Sequence, residues 1–178
     1  MTSSGAPELL SVSEMYAADR AAADAGIPGE RLMEAAGEAI ATEIRRRWAS
    51  RPVTVLCGPG YNGGDGFVVA RLLRGAGWPV TVALLGDRER LSGDARLNAD
   101  RWDGAIHPLS VAALHDAELV VDALFGAGLA RPLDGVALEI VRALSQLDVP
   151  CVAVDIPSGV HGDTGLVLGA APKADLTV

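Results

Sequence analysis

Val53-Thr54-Val55-Leu56-Cys57-Gly58-Pro59-Gly60-Tyr61-Asn62-Gly63-Gly64-Asp65-Gly66 is the stretch that decides the fold. Five short apolar, mostly β-branched residues run directly into a glycine cluster. A strand that ends in glycine and leads into a helix is the opening of a βαβ unit. Gly58-x-Gly60-x-x-Gly63 has the dinucleotide-binding spacing in the required context, after a strand and before a helix. Glycine lets backbone approach a pyrophosphate, and free N–H groups at a helix start favour anions. No Gly-Lys-Ser/Thr ending follows, which excludes a P-loop. Asp65 is out of place in a phosphate cradle. It reads either as the N-cap of the following helix or as a hydrogen-bond partner for a ligand hydroxyl.

Outward from this stretch the pattern repeats. Val80 to Leu85, Leu119 to Leu124 and Cys151 to Val154 are near-continuous apolar runs, as a parallel sheet covered on both faces requires. Helices are expected between them, over Gly66 to Ala76, Ser92 to Trp102 and Val136 to Leu147. Ser11-Val12-Ser13-Glu14 has capping-box spacing and opens a helix to about Ala25. Gly26-Ile27-Pro28-Gly29 ends it, and a second helix carries Leu32, Ala36, Ile40, Ile44 and Trp48 as one apolar stripe. The expected fold is a Rossmann-like α/β/α three-layer sandwich with a mainly parallel sheet, preceded by two helices. Residues 1–10 read as a disordered lead-in and 11–178 as one domain. Ala174 to Val178 looks like the start of a strand, so the domain is expected to be cut short at its C-terminal end.

The chain has 178 residues and a net charge of −8, which argues against nucleic acid as a partner. Its one basic run, Arg45-Arg46-Arg47, closes a predicted helix, where cations suit the dipole. No apolar run is long enough for a membrane span, and the first residues lack the build of a signal peptide. Cys57 and Cys151 both fall in predicted buried strands and read as core thiols in a reducing cytoplasm.

Three strands are followed by unusual loops, and parallel strands bring such loops to one sheet edge. The first is the glycine segment. The second is Gly126-Ala127-Gly128-Leu129-Ala130-Arg131-Pro132. The third is Asp155-Ile156-Pro157-Ser158-Gly159. Asp122 interrupts an apolar run and needs a partner, either loop N–H groups or a cation. A carboxylate, an amide and a hydroxyl suit a hard cation, with Asn62 and Ser158 as candidates beside Asp122. Asp155 stands where this fold places a catalytic carboxylate. His161 follows Ser158 closely, but without a Gly-x-Ser-x-Gly elbow it makes no hydrolase triad. His107 and His115 fall in predicted surface connections.

These motifs, with Leu32-Met33-Glu34-Ala35-Ala36-Gly37 and Asp163-Thr164-Gly165, resemble the NAD(P)HX epimerase family, the YjeF N-terminal domain. The resemblance runs from about Met15 to the end. It implies epimerisation at C6 of the hydrated nicotinamide cofactors NADHX and NADPHX, feeding a fused or separate dehydratase. It implies a potassium ion on Asn62, Asp122 and Ser158. It implies substrate contacts from Tyr61, Asn62, Gly63, Gly64 and Asp65, from Gly126, Ala127, Gly128, Leu129, Ala130, Arg131 and Pro132, and from Asp155, which is the expected catalytic acid/base. A homodimer is compatible with it. The chain departs from the family where Tyr61 and Ala35 replace Asn and Ala127 replaces Thr. Two rival readings share the fold. A nicotinamide-dependent oxidoreductase would use Asp87 to grip a ribose, but leaves Asp122 and Asp155 unexplained. A non-catalytic binding or scaffold module would have no need of the aspartates.

Overall fold

A computed structural model describes residues 10–178, so most of the expected lead-in lies outside the described residues. The five residues before the glycine cluster form strand β1 (Val53–Cys57), buried along its whole length. It is the hub of the sheet. β2 (Val80–Leu84) and β4 (Leu119–Ala123) pair with it on either side, β3 (Ile106–Pro108) lies beyond β2, and β5 (Cys151–Ala153) and β6 (Leu176–Thr177) lie beyond β4. The order is β3-β2-β1-β4-β5-β6, and every pair is parallel. Successive strands therefore run outward in one direction to β3 and then in the other to β6. The reversal falls between β1 and β4, where open parallel sheets of this order bind ligands.

Two apolar layers follow from the two-residue alternation of the strands. Val53, Val55 and Cys57 face one core with Ile40, Ile44, Phe67, Leu73 and Trp102. Leu56, Ala83 and Val120 face the other with Ile140, Val141 and Leu144. Helices α2 (Gly29–Arg47), α3 (Tyr61–Gly75) and α4 (Gly93–Arg101) supply the first core, and α5 (Gly135–Leu144) the second. Helix α1 (Val12–Asp24) has the expected capping box, Ser11 with Glu14, but buries none of its residues. The three arginines do close α2, where Glu43 pairs with Arg46 and Arg47. Cys57 and Cys151 are buried free thiols.

Four expectations need correction. The helix expected from Gly66 begins at Tyr61, so Tyr61 to Asp65 are helical and the loop is only Gly58 to Gly60. The N-cap is Gly60, not Asp65. The stripe of α2 is Met33, Gly37, Ile40, Ala41 and Ile44, while Ala36 is exposed. Residues spaced strictly four apart drift around a helix of 3.6 residues per turn, so the outer members leave the core face. Finally, His107 lies within β3, not a connection. That strand was hidden by its length of three residues and by Pro108, which sheets accept only at an edge.

Gly63, Gly64 and Gly66 of α3 are packing residues. A Cβ on Gly37 of α2 would lie 2.3 Å from the Val68 side chain, so the two helices meet without a side chain between them. A Cβ on Gly63 would lie 1.8 Å from the Gly58 carbonyl oxygen, which a side chain cannot share. Gly63→Ala is expected to cost at least about 2 kcal/mol in urea unfolding, since backbone must move. Gly75→Ala, in open space at the end of the same helix, is expected to be neutral or to stabilise by up to about 1 kcal/mol.

Candidate active site

The site is built where β1, β4 and β5 end. Gly58 N–H donates to the Ala123 carbonyl at 2.9 Å. A side chain on Gly58 would collide with the Leu124 carbonyl, so the two strand ends are pressed together there. The three glycines of the fingerprint then divide their tasks. Gly58 and Gly63 serve close packing, while a Cβ on Gly60 would meet nothing within 4 Å. Gly60 is thus the open position, the one at which a ligand can reach the backbone. No side chain caps α3, so the N–H groups of its first turn have no side-chain partner.

Asp122 has no exposure to solvent. Its Oδ1 accepts the Ser158 hydroxyl at 2.6 Å, and its Oδ2 accepts the Ser158 N–H at 2.8 Å. The Leu124 N–H lies 3.4 Å from Oδ1. Ser158 Oγ in turn accepts from the Phe125 N–H at 2.9 Å. Burial raises the Asp122 pKa, and the bonds from Ser158 and Leu124 oppose that rise. One carboxylate thereby ties the loop after β4 to the loop after β5.

Asp155 lies at the rim, in the left-handed region at φ 66°, the single non-glycine residue with positive φ among the described residues. Its N–H donates to Val178 and its Oδ2 accepts from the Ala127 N–H at 2.7 Å. The strain is held by bonds at both ends of the residue. The same oxygen, with Asn62 Oδ1, crowds Gly126: a Cβ there would lie 2.3 Å from Asp155 Oδ2 and 3.3 Å from Asn62 Oδ1. Asn62 Nδ2 is buried without a hydrogen-bond partner.

Asp65 is half-buried in the second turn of α3 and has no hydrogen-bond partner among the described residues. Burial, then the charges of Asp155 and Asp19, push its pKa up to about 7. It is therefore partly protonated near neutral pH. Asp19 comes from α1, which crosses the edge of the site. That helix is pinned there by the Val12 N–H to Asp163 Oδ1 at 2.8 Å, and Tyr16 Oη packs against Gly128.

The structure thus brings Asn62, Asp65, Gly126, Ala127, Gly128 and Asp155 to one crevice, with Asp122 and Ser158 buried behind it. Tyr61 stands exposed at its rim. On the second loop Leu129 packs into the core, whereas Ala130, Arg131 and Pro132 are exposed. His161 is turned elsewhere, its Nδ1 facing the Asp163 N–H at 3.3 Å, and Ser158 is committed to Asp122. Asp87 is exposed beside Arg90 and grips nothing. Tyr16 and Asp19 have no sequence signal, because their place depends on how α1 folds back, and the Asp163-Thr164-Gly165 motif gives no sign that Asp163 anchors that helix.

An α/β domain of this strand order, with a carboxyl-lined crevice at its switch point and a glycine fingerprint on one wall, is a nucleotide-binding enzyme fold. The chain belongs to the family described as YjeF-related protein N-terminus, whose model matches residues 29–178. It is 46 % identical to an NAD(P)H-hydrate epimerase of Rhodobacter capsulatus, over 94 % of this chain and 84 % of that protein. It is 40 % identical to an NAD(P)H-hydrate epimerase of Limosilactobacillus fermentum, over 86 % of this chain and 75 % of that one. A bifunctional NAD(P)H-hydrate repair enzyme of Thermofilum pendens is 43 % identical over 94 % of this chain, which spans 34 % of its length. The crystal structure of yeast ynu0 shares the fold, with a TM-score of 0.84 at 24 % identity, covering 96 % of this chain and 79 % of that one.

The raised pKa of Asp65 makes the folded protein hold a proton that the unfolded chain releases near pH 4. That contribution to stability is present at low pH and is lost as pH rises through about 7. Asp65→Asn, which stays neutral, is expected to gain stability over the wild type. The gain is larger at pH 8 than at pH 5 by about 1–2 kcal/mol, read from urea midpoints at the two pH values.

Proposed function

We propose that this protein epimerises the R and S forms of hydrated NADH and NADPH at C6, returning damaged cofactor to a form that a dehydratase can repair. The observation that carries the reading is that two carboxyl groups, Asp65 and Asp155, lie at the switch-point end of the sheet, near enough for the charge of Asp155 to raise the Asp65 pKa. Asp65 carries its proton part of the time near neutral pH, its pKa raised to about 7, while Asp155 accepts a hydrogen bond from the Ala127 N–H through Oδ2. The relatives named NAD(P)H-hydrate epimerase, at 40 and 46 % identity, supply the substrate class.

The chemistry needs little else. The carbon that inverts carries a hydroxyl and neighbours the ring nitrogen. A proton delivered to that hydroxyl lets it leave as water, while the nitrogen lone pair forms a planar iminium. Water then adds to the other face and gives up its proton to a carboxylate. No electrons are gained or lost, which separates this reaction from an oxidoreductase. Asp155 is assigned as the acid/base group at the reacting carbon, and Asp65 as the neutral carboxyl that binds beside it.

Binding falls to the rest of the crevice. The open backbone at Gly60 and the start of α3, through Tyr61, Asn62, Gly63 and Gly64, receive the diphosphate. The second loop closes over it from Gly126 to Pro132, and Arg131 is that loop's one cation. A potassium ion would be held by Asn62, Asp122 and Ser158. The donors fit a hard cation, since carboxylate, hydroxyl and amide oxygens are all available. The buried, unpartnered Asn62 Nδ2 supports this, because turning the amide over puts its carbonyl oxygen in that place. The ion would offset diphosphate charge in a crevice otherwise lined by carboxyl groups.

In the bifunctional relatives a chain like this one is about a third of the protein, so a dehydratase partner, fused or separate, suits the reading. No helix among the described residues is long and apolar enough to cross a membrane. The two free thiols suit a reducing cytoplasm.

Asp155→Asn is expected to lower conversion of the R to the S epimer by at least about a hundredfold, with binding of the hydrated cofactor nearly unchanged. Chromatographic separation of the epimers, against the spontaneous rate, measures this. Wild-type turnover in the variant would remove Asp155 from the chemistry. Potassium in place of sodium is expected to raise the wild-type thermal midpoint, and Asn62→Ala to abolish that difference.

A further inference from the structure

The protein has seven aromatic side chains, three Trp, two Tyr and two Phe. Phe67, Trp78 and Trp102 are buried, and Trp48 and Phe125 pack against the two cores. The two tyrosines alone stand in solvent, Tyr16 at 50 % and Tyr61 at 73 % exposure. Exposing every ring of one kind has an apolar cost, and both rings lie at the same crevice.

Contacts with one loop, Gly126 to Gly128, place both beside it. Tyr61 and Asp65 are four residues apart on α3, and so share a face one turn from each other. Tyr16 and Asp19 are three apart on α1, and share a face in the same way. Asn62, the neighbour of Tyr61, has its Oδ1 3.3 Å from where a Cβ on Gly126 would lie, so the start of α3 borders the same loop. Tyr16 Oη also packs against Gly128, on the loop that forms the second wall of the crevice. The Val12 N–H bond to Asp163 keeps α1 in this position although it buries no residue of its own.

We propose that Tyr16 and Tyr61 form an aromatic clamp for the adenine ring of the substrate, so that α1 is one wall of the adenine subsite. Adenine is the ring such a clamp fits. It is planar and uncharged, and every base presents a π-face on which an aromatic side chain stacks. The hydrated nicotinamide ring has lost aromaticity and is puckered, and its reacting carbon has to lie at Asp155. The inference rests on the reading of the site as one for a hydrated dinucleotide. It deepens that reading by naming what holds the end that does not react.

ADP-ribose carries adenine and diphosphate but no nicotinamide, and is the probe. Isothermal titration calorimetry on the intact chain is expected to show binding. Tyr16→Leu and Tyr61→Asn are each expected to weaken it by about fivefold or more, while Tyr16→Phe and Tyr61→Phe keep it. Both positions are solvent-exposed, so circular dichroism of the variants should match the wild type. Unchanged affinity in Tyr16→Leu overturns the clamp, as does weakening in the Phe variants equal to that in Leu and Asn. Absence of ADP-ribose binding to the wild type overturns it too. Epimerisation of hydrated NADH by the same wild-type sample separates the two ideas. If turnover is present without ADP-ribose binding, only the clamp is wrong, and if turnover is absent, the reading of the site fails as well.

Discussion

A single buried carboxylate holds the working end of this fold together. Asp122 sits in a strand whose other residues are apolar, with no exposure to water. An ion in that position is tolerated only if its lone pairs are filled. Ser158 fills two of them, through its hydroxyl and its N–H, and the Leu124 N–H adds a weaker third. Because Ser158 belongs to the loop after β5 and Leu124 to the loop after β4, the cost of burying the charge is offset by joining two loops that would otherwise diverge. The joint brings Ala127 within 2.7 Å of Asp155. The two walls of the crevice therefore owe their spacing to a residue that is itself buried behind them.

The other wall is set by absent side chains. Gly58 must be glycine because the Leu124 carbonyl occupies the space of its Cβ, and Gly63 because Gly58 occupies the space of its own. This contact brings α3 down onto the end of β1 at the switch point, so that its uncapped start opens into the crevice. A fingerprint read as a cradle is thus mostly a packing device. Only Gly60 has open space in front of it.

This division explains what could be read in the sequence. Strands buried on both faces announce themselves by composition, so β1, β2, β4 and β5 were legible to within a residue or two. Parallel pairing then places Asp65, Asp122 and Asp155 at one sheet edge. The start of α3 was not legible, because glycine and asparagine argue locally against helix, while packing of Gly63, Gly64 and Gly66 against neighbouring backbone and side chains decides in its favour. The short edge strand β3 was masked by Pro108. Nor could α1 be placed. An amphipathic pattern says which face of a helix is apolar, but α1 buries nothing and is held by the Val12 N–H bond to Asp163 and the approach of Tyr16 to Gly128, both far away in the chain.

Function gathers where local preferences are broken. Asp155 takes a left-handed backbone that glycine would adopt freely. Asp122 interrupts an apolar strand, and Asp65 sits in a run of packing glycines with no hydrogen-bond partner among the described residues. Local preference alone would put Gly at Asp155, Val at Asp122 and Ala at Asp65, and the bonds that Asp122 and Asp155 make between loops offset only part of that cost. That all three exceptions are carboxylates at one sheet edge, in reach of an open helix start, argues for selection by chemistry rather than by packing. Their shared charge also explains the difference between Asp65 and an ordinary surface aspartate: its neighbours Asp155 and Asp19 make ionisation costly. A crevice that concentrates negative charge thus favours a proton on Asp65, which leaves a neutral hydrogen-bond donor beside the carboxyl group proposed to do the chemistry, Asp155.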